Sequence, residues 1–304
     1  MIYDVIVIGA GPAGLAAGIY GKRAGYNILI LDTSSISGGQ ILNTYEVDNY
    51  PGMAGVSGTE LADAMRAHCD SLGVEFARGR VASIIDKGDI KELVTKKETF
   101  QTRTVIVATG ATNKKLGCPG EEELSGMGVS YCATCDGAFF KDKIVAVVGG
   151  GDVALEDAAY LARGSKKVYL IHRRNEFRGT AILQQQIKSL NNIEVIYDST
   201  VDEIIGKEAV EKLIIRNKNT NETSELEVDG VFIAVGTVPN TSTIAGLPSL
   251  DERGYLVADE SCETSIPGIF AAGDVRTKQL RQVITATADG ANAITSVARY
   301  LSKQ

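Results

Sequence analysis

Twice in this chain an apolar strand runs into a glycine turn that opens a helix, an arrangement that few folds accommodate. Tyr3-Asp-Val-Ile-Val-Ile8 meets Gly9-Ala-Gly11-Pro12-Ala13-Gly14, a helix is expected from about Ala13 to Ala24, and Asn27 to Leu31 is a second strand closing on Asp32. Lys143-Ile-Val-Ala-Val-Val148 leads in the same way into Gly149-Gly-Gly151-Asp152-Val-Ala154, a helical stretch to about Arg163 and a strand over Lys167 to Ile171. Near-continuous apolar strands of this length belong to parallel sheets covered on both faces. The first glycines of the two units lie 140 residues apart, so the repeat is architectural and not that of a short-period solenoid. Each unit also has a later strand ending in small residues, Val105-Ile-Val-Ala108-Thr109-Gly110 and Val231-Phe-Ile-Ala-Val-Gly236.

The fold class that follows is α/β, with two Rossmann-like three-layer nucleotide-binding domains. A strand-like segment, Gly268 to Asp274, and a C-terminal helix come after the second unit and should rejoin the first. The second domain is then an insertion, 114–240, in a first domain made of 1–113 and 241–304. The chain would cross near Ala111 to Lys115 and again near Thr237 to Thr241, and two crossings side by side form a natural hinge.

Composition narrows the class further. With 304 residues, 44% of them hydrophobic, the chain can bury two cores. Met1 to Ile8 runs straight into a strand with no basic leader, and no stretch has the length and apolarity of a membrane span. A formal net charge of −7 speaks against nucleic acid as a partner. Five cysteines, an odd number, do not form a secreted disulfide framework, so a cytoplasmic location is expected and any disulfide should be a working one.

In the first glycine turn, Gly9, Gly11 and Gly14 let the backbone turn tightly and approach a pyrophosphate at the helix N-terminus. Asp32, 23 residues beyond Gly9, can accept hydrogen bonds from ribose hydroxyls and disfavours a 2′-phosphate, which suits FAD or NAD better than NADP. In the second turn, formed by Gly149, Gly151, Asp152 and Ala154 with Glu156 in the helix that follows, the second strand ends not in an acid but in His172-Arg173-Arg174, with Arg178 in the same loop. Three guanidinium groups can hold the 2′-phosphate of NADPH by charge-assisted contacts, although an arginine cluster is more usually a solvated basic loop.

Cys132-Ala-Thr-Cys135 can close a small disulfide, and Asp136 follows it. Half of a zinc site is the competing reading, but there is no second Cys pair and the histidines are His68 and His172 alone, so no metal is expected. Dithiol chemistry also needs a group that moves protons, and Asp136 can be that group or a turn residue before Gly137. Cys69, spaced with Leu61, Met65 and Leu72 as on one face of a helix, reads as a core residue; Cys118 and Cys262 receive no role.

These motifs, together with Gly38-Gly39-Gln40 and Gly273-Asp274 followed by Arg281-Gln282, resemble the low-molecular-weight thioredoxin reductases over essentially the whole chain. The resemblance implies FAD in the first domain, lined by Gly38, Gly39, Gln40 and Asn49, with Ala108, Thr109 and Gly110 at its strand end. Asp274 would hold the ribitol, and Arg281, Gln282 and Val283 would lie by the flavin ring. NADPH would take the inserted domain, with Gly236 at the strand end. The resemblance further implies Cys135 as the thiol facing the flavin, Cys132 as the one attacking thioredoxin or a thioredoxin-like protein, Asp136 as the acid–base group, and a homodimer. One departure is Val153, where similar proteins commonly carry Ser or Thr. Because disulfide and NADPH would share one flavin, rotation about the two crossings would let them take turns. A ferredoxin-dependent reductase, a dithiol oxidase and a nucleotide sensor without turnover stand as the alternatives.

Overall fold

The computed structural model describes residues 1–44 and 46–304, the side chain of Asn43 aside. In the first unit, β1 (Ile2–Ile8), α1 (Pro12–Arg23) and β2 (Ile28–Asp32) are followed by a 3-10 turn over Gly39–Asn43 and by α2 (Gly58–Ser71). The strands β3 (Glu75–Arg78), β4 (Val81–Asp86), β5 (Lys91–Thr95), β6 (Thr99–Val107) and β7 (Ala111–Asn113) come next. Ser57 caps α2, accepting from the Glu60 amide while the Glu60 carboxylate accepts from the Ser57 amide, which satisfies two otherwise orphaned donors.

The inserted stretch holds β8 (Val129–Ser130), α3 (Ala133–Asp136), β9 (Ile144–Gly149), α4 (Asp152–Leu161), β10 (Lys167–Ile171), α5 (Ala181–Ser189) and β11 (Ile193–Ile196). It continues with β12 (Ser199–Gly206), β13 (Val210–Asn217), β14 (Thr223–Glu227) and β15 (Gly230–Ala234). After β16 (Thr237–Pro239) the chain returns to the first unit with β17 (Ile269–Ala271) and α6 (Val283–Leu301).

Two compact units result, Met1–Thr112 with Val238–Gln304, and Asn113–Thr237. The second boundary falls three residues before the expected 240, because Asn240 is bound into the first unit. Its amide donates to the Gly110 carbonyl at 3.0 Å and its Nδ2 to the Thr109 carbonyl at 2.9 Å. The two connecting strands, β7 and β16, pair with each other.

In the first unit the sheet order is β3-β2-β1-β6-β5-β4, with β17 also on β6; β4, β5 and β6 run antiparallel and the remaining pairs parallel. Alternation along β1 divides its side chains between two cores. Val5 and Val7 pack with Ile28, Ile30 and Ile106 under the helices, while Ile6 and Ile8 pack with Leu29, Leu31 and Leu93 on the other face. Burial on both faces is why these strands carry no polar alternation. The inserted unit has a parallel sheet, β11-β10-β9-β15-β8, and a three-stranded antiparallel sheet, β12-β13-β14. No helix among the described residues is long and apolar enough to cross a membrane.

Candidate functional site

In the first unit the chain leaves β1 through Gly9 at φ +111°, a conformation that L side chains rarely adopt, and a Cβ there would run into the Ala108 carbonyl. A Cβ on Gly14 would strike the Gly9 carbonyl, so strand and helix meet backbone to backbone. Gly11 differs: its nearest neighbour would be the Gly38 carbonyl at 4.0 Å, leaving an open cradle at the start of α1, where no side chain caps the helix. Pro12 at the first helical position has no amide to leave unsatisfied, and Ala13 is buried. A phosphate fits that cradle and the helix dipole favours it.

Asp32 does more than the sequence implies. Its Oδ2 accepts from the Ala10 amide at 2.5 Å and its Oδ1 from the Ser34 amide at 2.9 Å, so the carboxylate ties the glycine turn to the loop after β2. Gly38 and Gly39 both have positive φ, and the Gly38 amide donates to the Ala10 carbonyl, holding that loop over the same turn. Gln40 Nε2 donates to the Ala111 carbonyl, Asn49 Nδ2 donates to Gln282 Oε1 at 3.1 Å, and the Thr109 hydroxyl donates to the Asn240 carbonyl.

Asp274 sits in a 3-10 turn just after β17, entered through Gly273 at φ +79°. Its Oδ1 is a buried side-chain oxygen without a hydrogen-bond partner among the described residues. Burial pushes its carboxyl above the ordinary value, opposed by the charges of Lys278 and Arg281. A buried acceptor left unmade costs about 1–3 kcal/mol. A polyol hydroxyl would satisfy it, so the cradle at Gly11 and the orphaned Asp274 together fit a flavin dinucleotide. Arg281 stacks 4.2 Å over the Tyr255 ring, Gln282 is the N-cap of α6, and Val283 begins that helix.

A buried ionic cluster beside Asp274 was invisible to motif reading. Asp289 of α6 accepts from the Gly273 amide at 2.8 Å, from Arg276 Nε at 2.9 Å and Nη2 at 2.7 Å, and from Lys278 Nζ at 2.9 Å. Arg276 and Asp289 are each 2% exposed. The signal was present, since Asp289 lies on the face of α6 that carries Ala286, Ala293, Ile294 and Val297, and a carboxylate on an apolar face demands a cation.

In the inserted unit, Gly151 caps α4 with open space where a Cβ would be, and Ala154 packs against Gly149. Asp152 Oδ1 accepts from the Thr180 amide at 2.7 Å, bracing the loop after β10, and Glu156 is exposed. Arg173, Arg174 and Arg178 are exposed, and none forms an ion pair among the described residues; the Arg178 amide donates to the Gly150 carbonyl at 2.8 Å. Gly236 has φ +106° and Val153 is exposed.

His172 directly follows β10, where the arginine loop begins. It is buried, its Nε2 lies 3.0 Å from the Glu176 carbonyl, and its ring occupies the space that a Cβ on Gly150 would need. Burial holds its pKa below the ordinary value, so the ring is a neutral packing element that shapes the arginine loop.

Cys132 and Cys135 form a disulfide with Cα atoms 5.3 Å apart, Cys132 as N-cap of α3 and Cys135 within it. Ala133 between them is buried with Phe140 and Val147, which anchors the short helix. Asp136 ends the helix, and the buried Ser130 hydroxyl donates to its Oδ2 at 2.5 Å. Burial raises the Asp136 pKa and the Ser130 bond lowers it, with burial the larger effect. The other thiols are unsuited to exchange: burial pushes Cys69 and Cys262 up to about 12 and Cys118 up to about 11.

Residues 3–290 match the family model described as pyridine nucleotide-disulphide oxidoreductase. A thioredoxin reductase from Listeria innocua is 46% identical over 99% of this chain and 95% of its own, and one from Bacillus subtilis is 44% identical over 99% and 96%. A solved structure of thioredoxin reductase from Streptococcus pyogenes superposes with a TM-score of 0.95 at 43% identity, covering 100% of this chain and 99% of that one.

Proposed function

The chain belongs to the pyridine nucleotide-disulphide oxidoreductases and, among them, to the thioredoxin reductases, and from that premise we propose that it uses NADPH and FAD to reduce thioredoxin or a thioredoxin-like protein through Cys132–Cys135. The observation that carries this reading is the disulfide itself, set at the N-terminus of a short helix and followed by a half-buried carboxyl group. The chemistry a flavin supplies when bound is two-electron exchange: a hydride in from a nicotinamide, an electron pair out to a disulfide.

FAD would be held by the Gly9–Gly14 turn, Gly38, Gly39, Gln40, Asn49 and Asp274, with Arg281, Gln282 and Val283 at the ring. The second turn would hold the NADPH pyrophosphate, and Arg173, Arg174 and Arg178 its 2′-phosphate. Exposed guanidinium groups without carboxylate partners are free to make charge-assisted bonds to phosphate. They also favour this reading over a ferredoxin-dependent one, which needs no 2′-phosphate site.

In the dithiol state, Cys132 Sγ attacks one sulfur of the partner's disulfide, breaking that bond and forming a mixed disulfide. Cys135 Sγ then attacks Cys132 Sγ, restoring the internal disulfide and expelling the second partner sulfur. Two protons leave the cysteines and two arrive on the partner. Asp136 Oδ1, the oxygen that Ser130 leaves clear, takes each proton and gives it to the departing sulfur. The assignment of Cys132 as the outward thiol follows the family resemblance, as do a homodimer and a cytoplasmic setting.

The test is steady-state NADPH consumption with an oxidised thioredoxin. The expected result is turnover that Cys132→Ser and Cys135→Ser each abolish; thioredoxin-independent NADPH consumption, or turnover that survives either substitution, would overturn the reading.

A further inference from the structure

Ser130 is the last residue of β8, paired with Phe232 of β15 and 5% exposed, so its side chain has a fixed place at the root of the redox helix. Its hydroxyl meets three groups. It donates to Asp136 Oδ2 at 2.5 Å, accepts from the Cys132 amide at 3.1 Å, and has the Cys132 carbonyl within 3.4 Å. One hydroxyl carries one hydrogen and two lone pairs, so it cannot donate to both acceptors at once. With Asp136 ionised the hydrogen belongs to the carboxylate, giving a chain from Cys132 N–H to Ser130 Oγ–H to Asp136 Oδ2 in which each bond polarises the next. With Asp136 protonated on Oδ1, Oδ2 becomes a weaker acceptor, and the serine hydrogen can turn to the Cys132 carbonyl.

We propose that Ser130 is a positioning residue for the dithiol–disulfide exchange, holding the Asp136 carboxyl and the Cys132 backbone in one hydrogen-bonded unit and stabilising the ionised acid. The inference rests on the reading of Cys132, Cys135 and Asp136 as the redox site. The groups around the acid agree with it. Packed against α3 are α4, which carries Asp152, Glu156, Asp157 and Tyr160, and the turn Gly137–Phe140, which carries no titratable side chain. Burial and the Ser130 bond, not any of these charges, are what move Asp136. Asp157 has its own displacement, up to about 7 through burial and the Glu156 charge. Without the serine hydroxyl, burial would act on Asp136 unopposed.

The experiment is a pH titration of the carboxyl carbon of Asp136 by NMR in full-length, FAD-loaded, disulfide-oxidised protein with labelled aspartate, the resonance being assigned with Asp136→Asn. In Ser130→Ala the midpoint should move up by about one pH unit, a tenfold change in proton affinity. Ser130→Thr, which keeps the hydroxyl, should restore it. An unmoved or lowered midpoint in Ser130→Ala overturns the proposal, and so does a Thr variant that titrates like the Ala variant, since the shift would then belong to packing. Thioredoxin turnover by Asp136→Asn is read in parallel. If that variant keeps full activity, the acid–base role of Asp136 fails while the titration still decides the role of Ser130.

Discussion

The Asp289 carboxylate holds the Gly273 amide and two cations at once, and so fixes the turn that presents Asp274. Removing one partner of a buried ionic cluster leaves uncompensated charge, which costs about 3–5 kcal/mol. Asp289→Asn should lose stability on that scale in denaturant unfolding and retain less flavin after purification; a variant as stable and as yellow as the parent would refute the positioning role. Burial pushes the Asp289 pKa upward, but the bonds and charges of Arg276 and Lys278 outweigh it and hold the pKa below the ordinary value. The cluster's stabilisation is therefore full well above about pH 4, the value expected in the unfolded chain, and is lost as pH falls through that value towards the depressed one. Unfolding midpoints at falling pH should show that loss in the parent and not in Asp289→Asn. At the arginines, Arg173→Ala or Arg178→Ala should raise KM for NADPH by about 10–100-fold, the worth of a charge-assisted bond of about 1.5–3 kcal/mol, and leave NADH kinetics unchanged. Equal effects on both nucleotides would remove the 2′-phosphate assignment. The Cys pair, which closes a disulfide, was legible because its residues are contiguous in sequence, and Asp136 and the arginines stand out as candidates for the same reason. The Arg276–Asp289 pair was not, since its members lie 13 residues apart and meet only when α6 folds back on the turn. The packing of His172 was not legible for a related reason: sequence placed it in the nucleotide loop but could not show its ring lying against Gly150.

At the scale of elements, α1 and α6 approach through small residues. A Cβ on Gly290 would meet the Ala13 carbonyl, lie 2.8 Å from the Ala17 amide nitrogen and 2.9 Å from Ala16 Cβ, so backbone as well as side chain stands in its way. Gly290→Ala should therefore destabilise by about 1–3 kcal/mol despite its better helix propensity. Measured stability equal to or above the parent's would show that the helices can separate at no cost. The strand, glycine and helix units could be read from the sequence because apolar runs and turn glycines are local signals. The antiparallel sheet β12-β13-β14 was not foreseen, since its strands mix buried and exposed positions in pairs that only partner strands define.

At the scale of the whole molecule, each unit has its own parallel sheet and its own buried clusters, and the chain passes between them only at β7 and β16. A segment spanning 113–237 should thus fold alone, with cooperative unfolding and with affinity for the 2′-phosphate of NADPH; an unfolded segment would mean that its core depends on the rest of the chain. The insertion was legible because the glycine turns repeat, whereas its end at Thr237 was not, being set by the hydrogen bonds of Asn240.

If one chain joins a pyridine nucleotide to the Cys132–Cys135 disulfide through a bound flavin, electrons given by the nucleotide must appear as protein thiols. An anaerobic titration of the purified protein with NADPH and then NADH, following flavin absorbance and free thiols, tests it most directly. Bleaching by NADPH at far lower concentration than NADH, with two new thiols per chain, is the predicted result; no bleaching by either nucleotide, or bleaching with no new thiols, would contradict it.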